Sequence, residues 1–293
     1  MSDDEAPAAW HIGVIGGSGL AEGLGLEAAQ EIEVASPFGL PSAAVTTGRL
    51  SGVRFTFLPR HGPGHAIPPS AVNYRANIDV LKRCGVTDLI ALSAIGSLTP
   101  AMAPGHFVAV DQFIDRTAGR ENSFFGPGLV AHVSLADPVC PRLSNGLVEA
   151  ARAEEANVHH GGCYVAIEGP QFSTRAESRM YRKWGGDVIG MTGMPEARLA
   201  REAELPYALL GMVTDYDSWR DGDEADVSEI MSVMQRNVEL ARKVVLRLAG
   251  ALPAARTPSP IDRALDHAVM TAPAARDPLL VAKLQAVAGR VLK

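Results

Sequence analysis

The feature that most constrains the fold is an alternation. Short apolar runs suited to strands recur at His11–Ile15, Val53–Leu58, Asp88–Leu92, Phe107–Asp111, Tyr164–Glu168, Asp187–Met191 and Tyr207–Val213. Between several of them lie stretches with apolar residues at helical spacing. Ser70–Cys84 carries Val72, Ala76, Val80 and Leu81 on one face, and Ser144–Ala156, Ser173–Trp184, Pro195–Ala203 and Val227–Leu248 follow the same pattern. Pro195 and Glu196 both suit a first helical turn. Strands alternating with helices predict an α/β domain whose helices cover a central sheet.

The 293 residues suffice for one large α/β domain or two small ones. The spacing predicts a main domain over residues 1–252. Residues 253–293 begin Ala- and Pro-rich, with a short helix expected at Pro260–Met270 and a final helix at Asp277–Leu292. That final helix would carry Leu279, Leu280, Leu284, Val287 and Val291 on one stripe. The segment is too small for a core of its own, so it should pack on the domain or on a neighbouring subunit.

Composition narrows the function classes. The net charge of −6 gives no basic face for nucleic acid. No run reaches the roughly 18 apolar residues of a membrane helix. The start, MSDDEAPAAW, lacks the basic and apolar regions of a signal peptide, so a cytoplasmic location is expected. Cys84, Cys140 and Cys163 are scattered and odd in number, as reduced thiols would be. Neither CxxC nor a His/Cys cluster indicates zinc.

Ligands of open α/β sheets bind beyond the carboxyl ends of strands. Here the strand ends are Gly16–Gly19, Arg60-His61-Gly62, Ser93–Ser97, Glu168–Ser173, Gly190–Gly193 and Thr214–Asp217. All are small, hydroxyl-bearing or charged. GGSG alone is equally a tight turn: neither the dinucleotide G-x-G-x-x-G nor the phosphate-loop Gly-Lys-Ser/Thr is present. Arg60 offers forked donors suited to phosphate, although an arginine is ordinarily a surface ion pair. With Ser18 and Ser93 it would form an oxyanion cradle for inorganic phosphate that needs no metal. Asp215 and Asp217 stand two apart after an apolar strand, so their carboxylates should share a face. They fit a metal, an acid/base pair or a reader of polar ligand edges, or else a helix cap. Phe172, read alone, is a core aromatic.

Several motifs in order resemble the trimeric purine nucleoside phosphorylase and methylthioadenosine phosphorylase family. They are GGSGL, PRHG followed by VNYRANI, SAIGS, PGHFVAVDQFIDRT, EGPQFSTRAE, DVIGMTGMPEA and TDYDSW, spread from about Ile12 to about Leu248. The resemblance implies a single α/β domain with a central mixed sheet flanked by helices. It implies reversible phosphorolysis of a nucleoside to a free purine and a ribose 1-phosphate, with phosphate as co-substrate and no cofactor. Ser18, Arg60, His61 and Ser93 match the family's phosphate-binding positions, with Thr192 near them and Ala94 lining the site by its backbone. Phe172 matches the residue packing on the purine, Met191 the one against the ribose, and Asp215 and Asp217 the purine-reading acids. Asp215 is then the candidate proton donor to purine N7. The resemblance also implies a homotrimer in which a neighbour's loop closes the 5′ end, with His132 and Ser123–Gly128 as candidates.

Two criteria set substrate choice within that family. An ionised carboxylate at Asp217 accepts from the 6-amino group of adenine and repels a 6-oxo oxygen. Val227, Ile230 and Met231 offer an apolar face to a 5′-methylthio group, unless they are ordinary helix core. Ser173 joins them as a candidate specificity residue. These point to S-methyl-5′-thioadenosine. Against this, Gly190 and Gly193 stand where typical methylthioadenosine enzymes carry Asn and Thr, and GMTGMPEA resembles the methylthioinosine branch. Two readings from other classes remain. A non-enzymatic purine-binding protein would make no use of Arg60 and the paired acids, and a nucleoside hydrolase would leave the phosphate clamp idle.

Overall fold

The computed structural model describes residues 9–17, 20, 23–220 and 227–292. Among them lie an eleven-stranded mixed sheet and its flanking helices. The N-terminal half supplies β1 (His11–Gly16), β2 (Glu27–Ile32), β3 (Val45–Leu50), β4 (Val53–Pro59), α1 (Tyr74–Arg83), β5 (Asp88–Ser97), β6 (Phe107–Val110) and β7 (Gln112–Arg116). Then come α2 (Pro141–Ala153), β8 (Val158–His160), β9 (Cys163–Ile167), α3 (Arg175–Lys183), β10 (Val188–Gly190), α4 (Gly193–Glu202), β11 (Tyr207–Tyr216) and α5 (Val227–Ala251). Two short helices, α6 (Pro278–Lys283) and α7 (Gln285–Ala288), close the chain.

The strands run β2-β3-β4-β1-β5-β10-β9-β7, and a branch carries β11, β6 and β8 from the other side of β5. β1 is buried at every position between parallel β4 and β5, which is why HIGVIG carries no polar alternation. α1 is capped by the Asn73 side chain, which accepts from Ala76 N (3.0 Å), and α3 by a Thr174–Glu177 capping box. One large core lies on each face of the sheet. One contains Ile15, Leu58, Ile78 and Leu209, and the other Val14, Phe55, Leu147 and Val245.

The site is positioned by a break along one edge of β5. β1 pairs with β5 only as far as Ile15 opposite Ala91. Antiparallel β10 takes over at Ile189 opposite Gly96. From Leu92 to Ile95, β5 has no strand partner on that side, while β11 pairs with it continuously on the other. A sheet that changes direction this way leaves a crevice where a ligand meets backbone and short side chains.

Several expectations need correction. β5 does not end at Leu92: Ser93–Ser97 is strand rather than a turn after one, held by β11 and then β10. β2, β3, β7 and β8 lack an apolar run. The Pro260–Met270 helix reduces to a single 3₁₀ turn, Pro260–Arg263, under a Ser259–Asp262 capping box. The Asp277–Leu292 helix is two short pieces that meet at Leu284, whose turn lets Leu284, Val287 and Ala288 bury together.

Residues 253–292 lie against the rest of the chain. Arg256 pairs with Asp88 and Asp262, and Arg290 with Glu204 and Asp266. The Trp10 indole donates to Pro253 O (2.9 Å). Met270 N donates to Val130 O (2.8 Å) and His132 N to Ala268 O (2.9 Å), so this segment props up the Val130–His132 stretch. No helix among the described residues is long and apolar enough to cross a membrane.

Candidate active site

The described candidates on the anion side come from the end of β4, from β5 and from the turn after β10. Ser18 lies outside the described residues. Arg60 and His61 leave the end of β4. Ser93 and Ala94 lie on the unpaired stretch of β5, Ser93 buried and Ala94 exposed. Thr192 follows β10 at the N-cap position of α4, with its hydroxyl free of any capping bond. The Ser93 and Thr192 hydroxyls share a hydrogen bond (2.9 Å) across 99 residues of chain. The structure therefore brings Arg60, Ser93 and Thr192 together at the break in the sheet.

Arg60 is not a surface ion pair. Its side chain is 2 % exposed and grips Glu196 with two parallel bonds, Nε to Oε2 (2.9 Å) and Nη2 to Oε1 (3.0 Å). Nη1 donates to Leu92 O (3.0 Å) and Nη2 also to Ile15 O (3.4 Å). Four of the five guanidinium N–H groups are thus taken, and the fifth sits on Nη1, the nitrogen that reaches Leu92 beside Ser93. Burial works against the charged guanidinium. The charge and hydrogen bonds of Glu196 more than offset it, so its pKa is raised. The Tyr207 hydroxyl donates to Glu196 Oε1 (3.0 Å) and completes the carboxylate's partners. Glu196 therefore does more than favour a first helical turn. The sequence holds no local sign of this pairing, since the partners are 136 residues apart.

His61 is a neutral imidazole at pH 7. Burial, reinforced by the Arg60 charge, pulls its pKa down to about 4, against the opposing hydrogen bond to Ile67. Its Nδ1 lies 2.9 Å from Ile67 O, which can only accept. The single ring proton is then on Nδ1, and Nε2 presents a lone pair. His65 stacks on the His61 ring with centroids 4.3 Å apart.

The acidic side comes from the end of β11. Its register against β5 shifts between Val213 and Asp215, so Thr214 is the extra residue of a bulge. The bulge sets Asp215 opposite Gly96, with Oδ2 3.3 Å from where a Cβ on Gly96 would stand and Asp217 Cβ 3.5 Å from it. Simple strand alternation is thus replaced by a kink that brings both acids over one glycine. Asp217 is held by its backbone N–H on Ser97 O (3.1 Å), and the Trp219 indole donates to the same oxygen (2.8 Å).

Burial raises both carboxyl pKa values. For Asp215 the Thr214 hydroxyl (2.7 Å) opposes the rise and the charge of Asp217 adds to it. For Asp217 the Ser178 hydroxyl and the Ser218 N–H oppose it. Each carboxyl is therefore more readily protonated than an ordinary aspartate. Asp217 Oδ2 is buried without a hydrogen-bond partner. Leaving such an acceptor unpaired costs about 1–3 kcal/mol, and occupying it is a ready source of ligand selectivity.

Phe172 is exposed on the loop between β9 and α3, 56 % accessible, so it is not core. That loop turns at Gly169 (φ 67°), where a Cβ would lie 2.4 Å from Met191 Sδ, so Met191 packs directly on the loop. Ser173 is buried beside it with no partner for Oγ. In the first turn of α5, Met231 is 45 % exposed and Ile230 half-buried, so this face is not ordinary core. The Val227 side chain lies outside the described residues.

Gly190 and Gly193 have packing reasons. A Cβ at Gly190 would stand 2.1 Å from the Tyr164 hydroxyl, and one at Gly193 2.6 Å from Phe113 Cε1. Tyr164 is fully buried, and its hydroxyl accepts from Thr192 N (3.2 Å) and Gly193 N (3.4 Å). Among the described residues no three His, Cys, Asp or Glu side chains are arranged to hold a metal ion.

Comparison with known proteins identifies the family. A family model described as the phosphorylase superfamily matches residues 11–249. The S-methyl-5′-thioadenosine phosphorylase of Cereibacter sphaeroides is 59% identical over 285 residues, covering 96% of this chain and 98% of the relative. Its counterpart from Bradyrhizobium diazoefficiens is 57% identical with the same coverage. The crystal structure of a methylthioadenosine phosphorylase from an antarctic soil metagenomic library superposes with a TM-score of 0.91 at 41% identity, over 95% of this chain and 99% of that one. The methylthioadenosine phosphorylase from Schistosoma mansoni in complex with adenine gives 0.77 at 38% identity, over 82% and 91%. With the crevice at β5 and relatives this close over nearly their whole length, the chain belongs to the phosphorylase superfamily, within its methylthioadenosine phosphorylase family.

Proposed function

We propose that this protein cleaves S-methyl-5′-thioadenosine with inorganic phosphate, giving adenine and 5-methylthioribose 1-phosphate. The observation that carries the choice of base is Asp217 Oδ2, a buried acceptor with no partner, next to Asp215, whose carboxyl burial makes easier to protonate. A 6-aminopurine supplies both halves of the match: its amino group donates to Asp217, and its N7 accepts from Asp215. The names of the close relatives support the same substrate.

In this reading phosphate lies in the crevice against Ser93, the Ala94 backbone, Thr192, His61 and the remaining Arg60 N–H, with Ser18 completing the set. The His61 Nε2 lone pair takes a hydrogen bond from a protonated phosphate oxygen. As the C1′–N9 bond breaks, its electron pair passes to the purine and C1′ becomes electron-poor. A phosphate oxygen held next to it stabilises that charge and forms the new C1′–O bond. Asp215 delivers its proton to N7, so the base leaves neutral. Phe172 covers the purine and Met191 the ribose. The half-open first turn of α5, with Val227, Ile230 and Met231, receives the methylthio group, and Ser173 sits at the base edge. The chemistry needs no cofactor.

The 6-oxopurine reading drew on Gly190 and Gly193. Both glycines answer to Tyr164 and Phe113, so they carry no argument about the base. The deciding assay is base release from methylthioadenosine, methylthioinosine, adenosine and inosine, each with and without phosphate and with added EDTA. Release from methylthioadenosine that depends on phosphate and ignores EDTA is expected. Phosphate-independent release, or preference for methylthioinosine, would overturn the reading.

Asp217→Asn should move preference from 6-amino towards 6-oxo bases. Losing a hydrogen bond to a charged acceptor costs roughly 1.5–3 kcal/mol, or about one to two decades in kcat/KM for methylthioadenosine. The amide donates to O6 and gains oxo substrates less than that. Equal slowing of both bases would remove Asp217 from the role of reader.

The assembly proposed is a cytoplasmic homotrimer whose neighbouring loop closes the 5′ end. Val130, Met270 and Leu279 support it as exposed apolar side chains along the stretch that residues 253–292 prop up, with exposed His132 beside them. Light scattering should return three chain masses, and a monomer at assay concentration would refute it.

A further inference from the structure

Arg120 is a buried cation that the reaction as described does not use. Its side chain is 2 % exposed, and its carboxylate partner among the described residues is Glu168, reached from Nε (3.1 Å). Nη1 donates to Met191 O (2.7 Å), Met194 O (2.8 Å) and the Tyr74 hydroxyl (3.0 Å). Nη2 donates to Glu168 O (2.6 Å) and Ile167 O (3.3 Å). Glu168 Oε2 also accepts from Ala118 N (2.7 Å), which fixes the carboxylate on the chain that carries Arg120.

The partners belong to three separate segments. Ile167 and Glu168 begin the loop that presents Phe172. Met191 and Met194 bracket Thr192, which bonds Ser93. Tyr74 opens α1, after the loop that carries His61, and its hydroxyl also donates to Pro69 O (3.1 Å). Every guanidinium N–H is consumed by these bonds, so Arg120 has none left for a ligand. Planar, forked donors can hold three directions at once, which a lysine ammonium cannot reproduce.

We propose that Arg120 is a positioning residue that fixes the base-covering loop at a set distance from the phosphate-side segment, so that nucleoside and phosphate are bound in mutual register. The inference rests on the phosphorolysis reading. Neither segment is tied to the other here by strand pairing beyond the short β9–β10 contact, which ends at Gly190 opposite Ala166. Past that point the polar connection is Arg120, beside the packing of Met191 on Gly169. A residue that only stabilised the fold would lower the unfolding midpoint and the fraction of active enzyme, with both KM values unchanged. A positioning residue changes KM for both substrates.

The test compares wild type, Arg120→Lys and Arg120→Ala in the full-length protein, with unfolding midpoints measured alongside. Arg120→Lys should raise KM for methylthioadenosine and for phosphate at least tenfold each at a temperature where it is fully folded. Arg120→Ala should recover at least tenfold in kcat/KM with added methylguanidinium, which leaves wild type unaffected. Wild-type KM values for both substrates in the folded Lys variant would overturn the proposal, as would the absence of rescue in a folded Ala variant. Absence of phosphate-dependent base release from wild type would instead overturn the underlying reading, and the proposal with it.

Discussion

Arg60→Ala should destabilise the protein by about 3–5 kcal/mol, because it strands Glu196 as an unpaired charge in a site where both side chains are essentially inaccessible. Domains of this kind have only about 5–15 kcal/mol in total, so the variant should unfold at far lower urea than wild type. The sequence alone predicts a variant with impaired phosphate use and an intact fold; the buried pair corrects the second half. Phosphate KM, measured where the variant is still folded, should rise about tenfold to a hundredfold through the lost Nη1–H contact to an anion. Arg60→Lys separates the two effects: it keeps a charge for Glu196 and loses the fork that also reaches Leu92 and Ile15. An unchanged urea midpoint for Arg60→Ala would sink the buried-pair account. A lowered midpoint with unchanged phosphate KM would leave Arg60 purely structural.

The legible part of the fold was the part buried on both faces. β1, β4, β5 and β11 are apolar runs because each has sheet neighbours on both sides and core above and below. β2 leaves no apolar signal because EAAQEI is exposed at every position, an edge strand with little apolar pressure on its sequence. β8 has three residues, and β7 reads QFIDR, with a single buried-type pair. The true end of β5 was hidden for a different reason. Ser93, Ala94 and Gly96 look like a turn, but they are strand residues: Ser93 and Ala94 lie where a partner strand is missing on one side, and Gly96 lies under Asp215 and Asp217.

In the site, residues that meet the ligand space were visible because their types are costly anywhere else: Arg60 after a strand, two aspartates after another, hydroxyls in small-residue turns. What holds them was invisible. Arg60–Glu196 spans 136 residues, Ser93–Thr192 spans 99, and Arg120 draws on segments up to 74 residues away. Strand alternation alone predicts that the two aspartates share a face, yet the bulge at Thr214 is what turns them together. Gly190 and Gly193 looked like a statement about substrate, and only the positions of Tyr164 and Phe113 reveal them as space for aromatic rings.

Asp215→Asn should lower kcat by about 10² to 10⁴, the usual share of a general acid, on amino and oxo substrates alike. The effect arises at the leaving group, since an amide cannot deliver a proton to N7. The wild-type pH profile should carry the same signature. Asp215 has its pKa raised by burial, and the acid form is the active one, so kcat should fall as pH rises through that raised value. The variant should lack this limb. Stability should fall over the same rise in pH. The folded pKa lies above the unfolded one, so the favourable contribution is complete below the unfolded value and is lost as pH rises through the folded value. Asn does not titrate, so the variant should lose less stability than wild type over that rise. Deep loss of turnover without loss of stability is the reverse of what Arg60→Ala predicts, and the two variants measured together separate the acid from the clamp. A variant that retains wild-type kcat, or one that keeps the alkaline limb, would show that the proton comes from elsewhere.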